Sequence, residues 1–303
     1  MLRIGLKFHG GIDKPPLVWY TEYRKIPAGK PGKGSVFFMI KLGVNSVLFK
    51  ALPFREAAKA IKECGYDGIE IAAIAGMCEH LRLDDWKNQK AELLSVCEEY
   101  ALPFLSAEVA SQDRERLMRA FEACAALGIP IVNIGPGGRS GDADSLRASC
   151  ETVQRLAEDA GAFGITLCVK AHVGAAVDST PTTLRMMEAV TSPAFGVDMD
   201  PSHIHRAGED PAAALPAVLS RMKHIHIRDC KGNGPSPGTP TEQTCGRGDI
   251  DLFGYFEAMV SGGYDGPVCL EVIGPAEDLT AATRIAAESY GYMNAVLKRL
   301  GAR

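Results

Sequence analysis

The chain is expected to be an α/β protein of the (β/α)8 TIM-barrel class, and three observations support this. Short β-branched runs alternate with amphipathic stretches from Met39 to the C-terminus. The later runs end in polar residues where hydrophobic sequence meets loop sequence, as the strands of a barrel do at its catalytic face. No glycine-rich strand-to-helix fingerprint follows the first run, which ranks a doubly wound open sheet behind the barrel.

Strand-like runs fall at 40–46, 68–73, 103–109, 131–135, 165–172, 194–200, 224–229 and 268–273, eight in all. Between and after them lie helix-like stretches near 53–64, 85–101, 112–127, 144–162, 181–190, 211–220, 251–262 and 277–300. Parallel strands joined by right-handed crossovers close such a series into a barrel. Several boundaries have a local cause. Gly65 and Gly128 follow their helices as C-terminal stops, Asp144 is expected to cap the helix it opens, and Pro181 and Pro211 suit first helical turns. The longest connection, 230–249, is rich in Gly and Pro and follows the seventh strand, where barrel loops tend to be functional.

Composition narrows the function classes. With 303 residues and 46% hydrophobic content the chain can bury a large core. Lys and Arg total 33 against 37 Asp and Glu, and no run of like charges occurs, which disfavours a phosphate-tracking nucleic-acid binder. Nine Cys form no CxxC pair and sit mostly in apolar segments, so they read as core residues of a reducing compartment. No apolar stretch approaches a membrane span, so the expectation is a cytoplasmic protein with no membrane partner. Residues 1–38 differ from the rest, being rich in Gly, Pro, Lys and aromatics without clear periodicity. They are read either as an N-terminal extension or upstream mis-start, with the barrel domain occupying 39–303, or as supplying a short strand or plug at 2–8.

The chemistry concentrates on four late strand ends: Lys170 with His172, Asp200 with His203, His226 with Asp229, and Glu271. Carboxylates and an imidazole converging there would suit a divalent metal, but a charged lysine cannot ligate one. A wider set of phrases runs Gly-Tyr-Asp-Gly-Ile-Glu at 65–70, Val-Lys-Ala-His-Val-Gly at 169–174, Asp-Met-Asp-Pro-Ser-His at 198–203, His-Ile-His-Ile-Arg-Asp at 224–229, Gly-Arg-Gly-Asp-Ile-Asp at 246–251 and Leu-Glu-Val-Ile at 270–273. In this order the phrases resemble the xylose isomerase-like barrels, the sugar phosphate isomerases and epimerases and their relatives, from Met39 to the C-terminus.

That resemblance implies metal ligands at Asp200, His226 and Glu271, with a divalent Mn, Mg, Co or Zn ion as cofactor. It also implies a glutamate at the strand-five position, where this chain has Lys170. Lys170, Asp200 and Glu271 without an ion carry the same net charge as the family's three carboxylates with one, so lysine can stand in for the metal electrostatically. Two arrangements therefore stay open: a metal on Asp200, His226 and Glu271, or a metal-free site in which Lys170 pairs with the carboxylates. A Schiff base on Lys170 is a further chemical option.

The resemblance implies an isomerase or epimerase acting on a small ketose, inosose or keto-sugar by proton abstraction beside a carbonyl. Glu271 would be the acid/base, and a metal or Lys170 would stabilise the enediolate. The alternatives are a lyase or dehydratase of a keto-sugar, a non-catalytic sugar-binding barrel and, ranked last, a metal-dependent endonuclease. A small sugar-like molecule is the expected partner, and self-association is left open.

Other residues are weighed against plainer roles. His172 and His203 are expected to contact substrate, with a loop histidine bonded to backbone as the plain role for His172. Glu70 and Glu108 end the second and third strands, either facing the pocket or forming structural salt bridges. His224 reads as a satisfied core histidine below His226. Arg228 and Asp229, read as off the face of His224 and His226 by one or at the rim, serve either as a substrate clamp or as a plain salt bridge. Arg247, in the long loop, is the stronger basic candidate for holding a hydroxyl, carboxylate or phosphate.

Overall fold

Residues 39–303 are described by a computed structural model. The segment read as an extension, mis-start or plug lies outside the described residues. The barrel strands are β1 (Leu42–Asn45), β2 (Gly68–Ile74), β3 (Phe104–Glu108), β4 (Ile131–Ile134), β5 (Thr166–Lys170), β6 (Phe195–Asp198), β7 (Met222–Ile227) and β8 (Val268–Leu270). Each pairs in parallel with the next, and β8 pairs back onto β1 through Leu42 with Val268 and Val44 with Leu270, so the sheet closes. Closure between helices buries both strand faces, which is why β2 is buried at every position and reads as Gly-Ile-Glu-Ile-Ala-Ala-Ile with little alternation.

The helices are α1 (Phe54–Glu63), α2 (Trp86–Tyr100), α3 (Arg114–Leu127), α4 (Ala143–Ala162), α5 (Thr180–Ala189), α6 (Pro201–Arg206), α7 (Pro211–Val218), α8 (Leu252–Ser261) and α9 (Leu279–Arg299). Their inner faces repeat at helical spacing: Phe54, Ala57, Ala58 and Ile61 of α1 are buried against the barrel. Gly128 stops α3 at φ 72°, a left-handed conformation that favours glycine. Pro181 and Pro211 lie in first turns as expected.

One cap differs from the sequence expectation. Asp142, not Asp144, caps α4, because its carboxylate accepts from the backbone N–H groups of Asp144 and Ser145 and leaves Asp144 inside the first turn. Three short elements escaped the periodicity reading: a 3-10 turn at Ser46–Phe49, an antiparallel strand at Cys78–Glu79 folded back on the end of β2, and α6. Each spans too few residues to show a period.

The loop between β7 and α8 is fixed from beneath. Asp229 accepts from the backbone N–H groups of Cys230, Gly246 and Ile250. A Cβ at Gly248 would lie 2.2 Å from Asp229 Oδ1 and 2.4 Å from the Cys230 carbonyl oxygen, so only glycine passes there. Gln243 ties the loop to the chain just past Glu271, donating to the Ile273 carbonyl at 2.7 Å and accepting from the Ile273 N–H at 3.0 Å. No helix among the described residues is long and apolar enough to cross a membrane.

Candidate active site

Polar side chains at the C-terminal strand ends form two layers. The deeper one centres on β7, whose residues 224 and 226 point inward because strand side chains alternate. His226 Nε2 lies 2.5 Å from Glu70 Oε2, and its Nδ1 lies 2.6 Å from Asp198 Oδ2, the latter without hydrogen-bond alignment. Burial opposes a charge on His226, but Asp198 and then Glu70 outweigh it and raise its pKa well above the usual imidazole range. Burial likewise pushes the two carboxylates up, and the histidines reverse this, holding both below their ordinary values.

Neutral donors complete this layer. Asn45 donates to Glu70 at 3.1 Å, Asn133 donates to it at 2.5 Å, and the Ser106 hydroxyl donates to it at 3.1 Å. His224 spans Asp198 Oδ1 at 3.0 Å and Ser106 Oγ at 2.9 Å and is fully buried.

The layer nearer the mouth is built on cations. Lys170 Nζ, at the end of β5, lies 2.7 Å from Glu271 Oε1 and 3.4 Å from Glu108 Oε1. Arg228, two residues beyond His226, keeps the inward parity of β7 and is only 1% exposed. Its guanidinium lies 2.8 Å from Asp200 Oδ2 and 2.9 Å from Glu271 Oε2, and its Nε donates to Ser202 Oγ at 2.8 Å. The Glu271 contact is an ion pair without hydrogen-bond alignment.

Burial opposes the Lys170 charge, yet Glu108 and Glu271 prevail and raise its pKa above the ordinary lysine value. Burial pushes Glu271 up, but Lys170 and Arg228 bring it well below the usual carboxylate range. In Glu108 burial wins, aided by the charge of Glu271, and its pKa is pushed up to about 7.

The structure thus brings Lys170, Glu271, Glu108, Arg228 and Asp200 together at the mouth and places Glu70 and His226 beneath them. His203 borders the cluster: Arg228 lies 2.9 Å from its Nε2, while Val173 N–H and Arg206 face its Nδ1. Burial first, then these cations and Lys170, hold its pKa well below the usual value. His172 is exposed, packs against His203 with ring centroids 4.2 Å apart and planes tilted by 40°, and donates from Nδ1 to the Val173 carbonyl. Arg247 is not brought in. Its guanidinium forms a two-pronged pair with Glu288 on α9, at 2.7 and 3.0 Å, in an exposed position.

Asp229 serves the loop rather than the site. Asp198, Asn45, Ser106 and Asn133 escaped the sequence reading. Their signal was a polar residue inside an otherwise apolar strand, and in Asp198 an inward parity shared with Asp200.

Two described groups bring three potential metal-ligating atoms within 4.8 Å: Glu70, His224 and His226, and Glu108, His226 and Glu271. Asp200, expected as a ligand with His226 and Glu271, falls in neither because it turns to Arg228 and Ser202. The ligand atoms in both groups are already engaged. His226 presents both ring nitrogens to carboxylates, and Glu271 carries a cation on each oxygen. As arranged, the residues do not fit a divalent ion.

A family model described as "Xylose isomerase-like TIM barrel" matches residues 58–295. An inosose dehydratase from Lacticaseibacillus casei is 27% identical over 133 residues, 39% of this chain and 44% of that protein, so the chain spans under half the length of this relative. Among solved structures, a D-allulose 3-epimerase from Methylomonas sp. is similar with a TM-score of 0.68 at 19% identity, covering 86% of this chain and 98% of that one. A probable 3-DHS dehydratase from Bacillus anthracis is similar at the same TM-score and 15% identity, covering 84% and 99%.

Proposed function

The chain belongs to the xylose isomerase-like TIM-barrel family, and we propose that it is an enzyme that moves a proton beside the carbonyl of a small keto-sugar. The carrying observation is the Lys170 ammonium held between Glu271 and Glu108 at the barrel mouth. A cation flanked by two carboxylates provides what enolisation needs: a donor for the oxygen that becomes negative and bases on either side of it.

In the resting site Lys170 and Arg228 depress the basicity of Glu271. A substrate carbonyl that accepts a hydrogen bond from Lys170 draws the ammonium away from Glu271, which becomes a stronger base where the proton must be taken. The C–H bond then breaks, its proton passes to Glu271, and its electron pair forms the enediolate, whose oxygen keeps the Lys170 N–H. Glu108, with a pKa of about 7, can deliver or accept the second proton near neutral pH. Reprotonation of the same carbon on its opposite face gives an epimer; protonation of the former carbonyl carbon, with the neighbouring hydroxyl giving up its proton as the new C=O forms, gives an isomer.

One observation favours dehydration as a second reading. A carboxyl with a pKa near 7 can stand protonated at neutral pH, as a departing hydroxyl requires, and the matched Lacticaseibacillus casei relative is named an inosose dehydratase. The two readings share the first step and part at the product. Incubation with a panel of ketohexoses and inososes in deuterated water, followed by proton NMR, tests both. Loss of the proton beside the carbonyl is expected, with an epimer or isomer supporting the first reading and loss of water the second. A panel that shows no exchange contradicts the proposal.

A further inference from the structure

All three residues that the family resemblance offers as metal ligands already have partners, and the partners come from this chain. Asp200 Oδ2 lies 2.8 Å from Arg228, and both Glu271 oxygens face cations, Lys170 at 2.7 Å and Arg228 at 2.9 Å. His226 has Glu70 at 2.5 Å from one ring nitrogen and Asp198 at 2.6 Å from the other. A metal on these three residues would need a free His226 lone pair and carboxylate oxygens released from their cations, and a site of carboxylates alone would need those oxygens freed just the same.

Charge points the same way. With Glu108, Asp200 and Glu271 ionised, Lys170 and Arg228 leave one net negative charge. A divalent ion added to these buried groups would reverse that sign and sit against two fixed cations.

We infer that Lys170 and Arg228 replace the divalent ion of this barrel architecture, so that the site holds no metal and receives the substrate's developing oxyanion on protein cations alone. Arginine suits the half of this role that bridges two carboxylates, because its planar fork reaches both at once. Lysine suits the half that must release a carboxylate and turn to the substrate, because its ammonium is a compact charge on a flexible stem. The inference deepens the proposed chemistry, yet its test requires no turnover, so either can fail without the other.

The test uses the full chain, expressed in medium supplemented with manganese, cobalt and zinc, then desalted for elemental analysis and melted with and without EDTA or added Mn2+. Well below about one ion per chain is expected, with no change in melting on chelation or Mn2+ addition. About one ion per chain, or melting that drops on chelation, overturns the inference. The double variant Lys170→Glu, Arg228→Met removes both cations and leaves four buried carboxylates facing one another. That protein is expected to take up about one Mn2+ per chain and to melt higher with Mn2+ present. A double variant that folds, as judged by circular dichroism, and still binds no Mn2+ overturns the role given to the two cations. Should it not fold even with Mn2+, Lys170→Glu alone carries the same two readings.

Discussion

The two polar layers of the barrel mouth solve the same electrostatic problem differently. In the deep layer, two carboxylates share two histidines, His224 and His226, and the short neutral donors Asn133 and Ser106, which have little freedom to move, while Asn45 donates both to Glu70 here and to Glu108 above. Nearer the mouth, three carboxylates share two long cations, and each cation touches more than one carboxylate. The first arrangement holds a geometry. The second can exchange one partner for a ligand and still keep its charge compensated, which is the property that the proposed chemistry requires. Strand β7 spans both, sending His224 and His226 into the first and leading to Arg228 in the second.

Variants should separate the layers. The largest effect is expected on turnover at the mouth: Glu271→Gln keeps an acceptor for Lys170 but cannot take a proton. It should lower turnover by about 10²–10⁴-fold while the protein stays folded, because Lys170 retains Glu108 and Arg228 retains Asp200. Steady-state rates and circular dichroism check the two halves. Wild-type rates in that variant would remove Glu271 from the chemistry.

In the deep layer the main loss should be stability. Asp198→Ala leaves a buried His226 with one carboxylate instead of two and should cost about 3–5 kcal/mol in urea unfolding. A loss below about 1 kcal/mol, the range of surface pairs, would contradict the fixed character assigned to this layer.

The same layer sets a pH dependence. Asp198 and Glu70 have folded pKa values below their unfolded ones, so their contribution is complete above about pH 4 and fades as the pH falls further. His226 has a raised folded pKa, so its contribution is complete below about pH 6.5 and fades only as the pH climbs through the folded value. Melting temperature should therefore fall most steeply below about pH 4, with a shallower acid limb in Asp198→Ala. Equal acid limbs in the two proteins would count against the pairing. The smallest effect is expected at Arg247→Ala, which breaks an exposed pair with Glu288 and should change stability by less than about 1 kcal/mol and leave turnover unchanged.

What could be read from the sequence follows the same division. The strands were legible because burial on both faces writes each as a short apolar run, and the helices because one face alone is apolar. Lys170 and Glu271 were legible as charged residues ending such runs. Reading Arg228 as off the inward face or at the rim is corrected by the structure: its two-residue spacing from His226 gives the inward face, and it is buried beside Asp200 and Glu271. Arg247 drew attention as a basic residue in a functional-looking loop, and only three-dimensional packing brings Glu288 of α9 against it. Asn45, Ser106 and Asn133 carry no charge and match no spacing, so their role appears only once the closed barrel brings Glu70 to them.

The most direct test of the central claim is proton exchange in deuterated water on chelated protein. Exchange beside the carbonyl of a keto-sugar substrate should persist after EDTA treatment and desalting, and should be lost in Lys170→Met. Exchange that stops on chelation and returns only with a divalent ion would contradict the assignment of that chemistry to the cations of the mouth layer.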